Sequence, residues 1–249
     1  MIKVILFVAV ASISFTALFA QKYDDIKSAL IFDKTDDAKK FFDKSTTNEM
    51  FFAKPEGYLV KAALFAKLAV DSSRVVEADN NRTEAATAFE KYKELDPETK
   101  LLEENEIYKK TPYYLYVSYF NAGIVDINNK KYDVAYEKFK YTVEYADFLI
   151  SKRIMNMQMD TVAVYYAGLL AENTNHLDEA LKYYTRISDA QVKEYQGTSY
   201  ESAYQGLVRY YAFKRDKGNF EKYRILGRVL YPQSDFFTYN ISDFTAVNK

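Results

Sequence analysis

The sequence predicts an all-α protein, an α-solenoid of antiparallel helix pairs. Three observations predict it. Seven Gly and four Pro in 249 residues are too few for the many turns of an all-β chain. The stretch Tyr119–Asp147 returns at Val164–Val192. A shift of 45 residues, from 122 to 167, lays Ala122-Gly123 on Ala167-Gly168, Tyr132 on Leu177, Ala135 on Ala180 and Phe139 on Tyr184. The step from a small Ala to an aromatic four residues later also recurs at Ala38/Phe42 and Ala85/Phe89. Self-similarity of this kind marks a repeat architecture, in which each helix pair buries its apolar face against the next.

Composition bounds the function. With 49% hydrophobic and 28% charged residues, the chain can bury a sizeable core as one globular domain or one solenoid. Lys+Arg 34 against Asp+Glu 35 leaves a net charge of -1, which argues against a nucleic-acid partner. Tyr 24 and Phe 18 with Trp 0 fit rings used as packing knobs. The absence of Cys removes disulfides, Cys nucleophiles, thiolate metal sites and a lipid-modified Cys anchor. A single His rules out a poly-His metal site within one chain. No metal or cofactor is expected.

The elements follow in order. Residues 1–20 read as a secretory signal peptide: Lys3 supplies the positive start, Val4–Phe19 the apolar run, and Ala17 and Ala20 the small residues before a cut expected ahead of Gln21. Ser12, Ser14 and Thr16 weaken that run as a membrane anchor, which prefers ~20 apolar residues. No stable membrane insertion is expected after cleavage. The mature chain, 21–249, is then one helical-repeat domain, periplasmic or secreted. Its first pair, approximately 21–50, holds Gln21–Ile31 and Thr35–Lys44, with Asp36 and Asp37 early and Lys39 and Lys40 later, as the helix dipole favours. The second, 55–97, opens at Pro55, where a missing N–H loses nothing. It continues through the apolar run Tyr58–Val70, a loop at Asn80-Asn81, and a helix Thr83–Leu95 that stops before Pro97.

Pro97–Thr111 reads as a charged connector with a helical turn or short helix, and Pro112 opens the helix Tyr113–Ile127. The partner arm runs from Lys131 to about Ser151, completing the pair 112–151. The link Arg153–Met159 lengthens the repeat. The pair 160–190 holds Asp160–Asn173 and Leu177–Ile187, and Gly197 breaks the chain after it. The pair 199–232 departs from the pattern, with Tyr223 where Ala135 and Ala180 stood and Gly227 where the aromatic stood. The tail, 233–249, carries Phe236, Phe237, Tyr239 and Phe244, expected to cap the last pair as a short helix.

An aromatic, a Gly after a small or apolar residue, a hydrophobe before Ala, and an aromatic four residues on together resemble the tetratricopeptide repeat, whose units run about 34 residues. With the signal segment, the chain is similar to exported members of that family from Bacteroidetes-type bacteria. The resemblance implies a right-handed solenoid. It implies structural roles for Gly123, Ala135, Phe139, Gly168, Ala180 and Tyr184, the small residues admitting close helix approach and the rings filling the space beside them. It further implies a concave groove lined by the first helix of each pair. The register places there Val117, Phe120, Ile124 and Asn128; then Val162, Tyr165, Leu169 and Asn173; then Gln205, Val208 and Arg215. Such a wall suits an extended peptide or an amphipathic helix. Family members that grip a C-terminal carboxylate use Lys and Asn where this chain has Phe120, Ile124 and Tyr165.

Catalytic signatures are missing. There is no phosphate-cradling glycine loop, Gly-x-Ser-x-Gly elbow or His-Glu-x-x-His motif. His176 falls in an inter-helix turn, and Glu103, Glu104 and Glu201 read as solvated carboxylates. The expected function is therefore a non-enzymatic scaffold of the cell envelope that binds a protein partner through the groove. The alternative is a glycan binder that uses Tyr and Phe as platforms.

Overall fold

In the computed structural model of the chain, which describes residues 23–246, a single type of turn recurs between helices. Residues 23–31 form α1, followed by α2 (Thr35–Ser45), α3 (Pro55–Ala69), α4 (Ala78–Leu95), α5 (Glu106–Asn128) and α6 (Tyr132–Ser151). Then come α7 (Thr161–Asn173), α8 (Leu177–Asp189), α9 (Glu201–Phe213), α10 (Lys217–Leu230) and α11 (Ile241–Ala246). The links α1–α2, α5–α6, α7–α8 and α9–α10 each place one residue in the left-handed region: Asp33, Lys130, Asn175 and Arg215, with φ of 57, 58, 62 and 55°. The next N–H reaches back to a carbonyl in the preceding helix: Lys34 to Ala29 at 2.8 Å, Lys131 to Asp126 at 2.9 Å, His176 to Ala171 at 2.8 Å and Asp216 to Tyr211 at 3.0 Å. This six-residue closure satisfies carbonyls that a helix end would leave bare. Glycine usually supplies the left-handed residue, and here none of the four is glycine.

The fold is all-α, as expected. The helices group into two compact units that divide between Ser118 and Tyr119, within α5. In the first unit, α3 packs on α2 and α4 around a core that includes Leu30, Phe42, Phe51, Phe65 and Phe89. Phe42 meets Phe51 and Phe65 edge-on, each at 5.6 Å between ring centres. Glu56 accepts hydrogen bonds from the Tyr108 hydroxyl at 2.8 Å and Lys27 Nζ at 3.2 Å, tying α1, α3 and α5 together.

Two sequence expectations change in this unit. Asn80-Asn81 is not a loop but lies in the first turn of α4, and Asn81 is buried. The reason is tertiary: the adjacent, buried Arg82 donates from Nε to Ser118 Oγ at 2.8 Å and also pairs with Asp79. That anchor outweighs asparagine's modest preference for turns. Pro112 does not open α5 but lies inside it. The helix starts earlier because Asn105 caps it, its side chain accepting from Ile107 N at 2.8 Å, and because Ile107 and Tyr108 are buried. Proline removes one helical hydrogen bond at a cost of ~3 kcal/mol, which packing before and after it must offset. Tyr108 and Leu115, both fully buried, do so from either side.

In the second unit α6 packs on α7, α7 on α8, α8 on α9 and α9 on α10. Rings fill notches left by glycines. A methyl group at Gly123 would stand 2.7 Å from Phe139 Cε2, and one at Gly168 would stand 2.6 Å from Tyr184 Cε1. Gly206 on α9 receives the other edge of the same Tyr184 ring. Ala135 and Ala180 are buried beside these rings. Where the repeat pattern departs, the packing reverses. Gly227 on α10 is the notch, and the ring comes from Phe237 in the 3₁₀ turn Asp235–Thr238 after α10. Phe244 of α11 then meets Phe220 and Phe236 edge-on at 5.7 and 5.3 Å. Between α8 and α9 the sequence reading found only a break at Gly197. The structure has a small antiparallel hairpin there, Glu194-Tyr195 against Thr198-Ser199, turned by Gln196 and Gly197 at φ of 48 and 79°. Two successive positive φ angles are what a two-residue hairpin turn requires.

Two stability changes follow. Lys130→Gly or Arg215→Gly removes a left-handed Cβ and should raise the unfolding free energy by up to about 1 kcal/mol, read from urea midpoints. Gly168→Ala should lower it by about 1–3 kcal/mol through overpacking against Tyr184.

Candidate functional site

Two helical stripes face a cavity of about 650 Å³ in the second unit. Leu177, Ala180, Leu181 and Tyr184 come from α8, and Gly206, Arg209, Tyr210 and Phe213 from α9. Each set falls at i, i+3, i+4 and i+7, the spacing that gathers residues on one face of a helix. Tyr239, Asp243 and Phe244 close one side, and Ala212 and Glu172 complete the lining. The cavity walls are mostly apolar. Phe213 is 69% exposed at its edge. That volume and lining fall in the range of sites that take an apolar group and orient it with a few polar ones.

The floor is polar and internally paired. Glu172 Oε1 accepts from Arg209 Nε at 3.1 Å and Nη2 at 2.6 Å, while Oε2 accepts from the Tyr184 hydroxyl at 2.8 Å. The Arg209 guanidinium lies 5.8 Å from the centre of the Phe236 ring. Burial first, and the Glu172 charge second, push the Tyr184 phenol far above the usual tyrosine range. At the rim, the Tyr210 hydroxyl donates to Asp178 Oδ1 at 2.7 Å. That hydrogen bond, with some desolvation, pushes Tyr210 up to about 12. Glu172 has both oxygens engaged, so Glu172, Arg209 and Tyr184 hold one another in place. Among the described residues, no group of three or more His, Asp or Glu is placed to hold a metal ion.

The residues expected to line a groove are placed elsewhere. Phe120, Ile124 and Leu169 are half-buried against the core, Phe120 meeting Phe139 edge-on at 5.5 Å. Asn128 and Asn173 are exposed as the last residues of α5 and α7. Tyr165 is buried, its ring stacked on Tyr200 at 4.5 Å and its hydroxyl paired with Ser202, so it does not present an open surface. Val208 has no exposed surface and belongs to the core. Arg215 lies beyond α9, at the left-handed position of the turn. Gln205 donates to Glu201 at 2.8 Å, and Val117 and Val162 are half-buried. The physical reason is crowding: α7 packs on α6, α8 and α9, so most of its faces are covered. None of these residues lines the cavity.

Ala180 and Tyr184, expected to be purely structural, both line it. The signal that could have found the site is the pair of stripes at i, i+3, i+4 and i+7 on α8 and α9; of these residues the repeat register singled out only Ala180 and Tyr184, for packing. His176 is exposed in the α7–α8 turn, stacked on Tyr136 at 4.7 Å, with Nδ1 2.8 Å from Thr174 Oγ1. Glu103 and Glu104 are exposed, and Glu201 also accepts from Ser234 Oγ at 2.5 Å.

Comparison with known proteins adds little. No family model matches the chain, and no curated protein matches it. Among solved structures it is similar to one titled "Functional Characterization of Pseudomonas Aeruginosa pilF", at 14% identity, covering 92% of this chain and 97% of that chain, with a TM-score of 0.36. The likeness is coarse, and the functional reading stands on this chain's own residues.

Asp178→Asn should bring Tyr210 down from about 12 toward the ordinary phenol value, followed by NMR of ring-labelled tyrosine. The sign follows from the pairing: a neighbouring carboxylate opposes phenolate formation, so removing its charge eases it.

Proposed function

We propose that this chain is a non-enzymatic protein-interaction scaffold of the cell envelope that holds a peptide or helix of its partner. The observation that carries this reading is the cavity between α8, α9 and α11, with its apolar walls and polar groups that bond one another. A helix laid between two helical stripes is a common way for α-proteins to receive a partner. The α5–α7 surface is the second place a partner could lie, with Phe120, Ile124 and Leu169 half-buried and Asn128 and Asn173 exposed.

A glycan-binding role is the alternative. It is favoured by Tyr210, Phe213, Tyr239 and Phe244 bringing four aromatic side chains to one cavity. The envelope location rests on residues 1–20, which lie outside the described residues. Among the described residues, no helix is long and apolar enough to cross a membrane.

A photoreactive amino acid at Leu181 or Phe213 should crosslink a defined protein in intact cells, identified by mass spectrometry. Crosslinks only from Asn128 or Asn173 would move the site to the α5–α7 surface. None from either pair, with strong signals on a glycan array, would favour the sugar reading. Cell fractionation should place the chain in the envelope or medium, with Gln21 as its first residue by intact mass.

A further inference from the structure

Two carboxylates stand at or beside the cavity, Asp243 in its lining and Asp178 on the hydroxyl of the lining residue Tyr210. Asp178 accepts from the Tyr210 hydroxyl at 2.7 Å, and Asp243 accepts from Asn240 N at 2.6 Å. Among the described residues, neither makes an ion pair. Two cations of this region are paired with other carboxylates: Arg209 is bonded twice to Glu172, and Lys182 pairs with Glu179 at 2.7 Å. Lys214 Nζ lies over the Tyr210 ring at 5.4 Å, without an ion pair to Asp178. Asp243 itself lines the cavity, and Asp178 is fastened to a side chain that does.

One occupant of this face is already present. The short helix α11 lies on α9, and its Phe244 packs edge-on against Phe220 and Phe236. A helix bearing an aromatic therefore fits this surface, and the cavity continues that same apolar wall toward α8.

We propose that the cavity receives a large apolar side chain from a cationic amphipathic helix of the partner, whose neighbouring Lys or Arg pairs with Asp178 and Asp243. This rests on the reading of the chain as a protein-interaction scaffold. The apolar stripes supply the attraction, and the two carboxylates select the sign of the incoming charge. Opposite charge at an exposed rim speeds encounter and discriminates between partners more than it adds affinity.

The test uses the purified full chain and synthetic fluorescent helices read by anisotropy. One peptide carries a Leu face, a central Phe and Lys on the polar side. A twin replaces every Lys with Glu, and a third replaces Phe with Ala. The Lys peptide should bind, the Glu twin at least fivefold more weakly, and the Ala version more weakly than the Phe one. The double variant Asp178→Asn/Asp243→Asn should lose roughly fivefold for the Lys peptide and narrow its lead over the Glu twin, because two exposed ion pairs are removed. Phe213→Ser should weaken both peptides. Circular dichroism should be unchanged in each variant, since all three sites are exposed.

Equal binding of the twins, or a double variant that binds the Lys peptide as well as the parent does, overturns the proposal. Tighter binding of the Glu twin overturns it in favour of Arg209 as the charge sensor. If no peptide binds while crosslinks form from Leu181 or Phe213 in cells, the cationic helix is wrong and the scaffold reading stands. If crosslinks also fail at every position, the scaffold reading fails as well.

Discussion

The second unit depends on one ring. Tyr184 of α8 is fully buried between Gly168 of α7 and Gly206 of α9, so three helices share its volume. Each glycine matters because a Cβ at either position would meet that ring. Burying such a side chain contributes about 2–3 kcal/mol, provided its hydroxyl is not stranded. The hydroxyl is satisfied by Glu172, which in turn holds Arg209. The residue that sets the helix spacing thus also forms the floor of the cavity.

The same logic explains the third wall. Where α10 has Gly227 in place of a ring, the chain after it turns back and inserts Phe237 into the notch. Arg224 secures that turn, donating from Nη1 to the Phe237 carbonyl at 3.1 Å. From this fixed point α11 lies on α9, and Tyr239, Asp243 and Phe244 reach the side of the cavity. A substitution that reads as a lapse in the repeat is in fact a reversal of which partner supplies the ring. The reversal places the cavity beside it.

Electrostatics sorts the polar groups by what they can do. Glu172 is held by an arginine and a phenol, so its charge is spent inside the site. Asp216 is different: it accepts from Asn219 N at 3.0 Å as the cap of α10, and that bond holds its carboxyl below the usual range. Its contribution to stability is present at neutral pH and is lost as pH falls through its folded value. Asp160 and Asp216 cap helix starts, and Asp243 does the same for Asn240 N while also lining the cavity; Asp178 is held by the Tyr210 hydroxyl beside it.

Local information was enough for the all-α class and for the position of most helices. The small-to-aromatic step at Ala135/Phe139 and Ala180/Tyr184, and the glycines sixteen residues before those rings, specify close contacts between neighbours in sequence, and such contacts leave a periodic trace. Periodicity could not reveal that Asn81 is helical or that Pro112 lies inside α5, because both depend on partners distant along the chain: Ser118 for Arg82, and Glu56 for Tyr108. Nor could it separate groove from core. Val208 and Phe213 lie on the same helix at spacings equally compatible with either, yet one is fully buried and the other 69% exposed. Sequence by itself determined that this chain is a set of helical hairpins joined by tight turns, since helix period, caps and turn closure are satisfied within a few residues. Which face stays open was decided only by tertiary structure, because it depends on where α11 comes to rest and which helices cover α7.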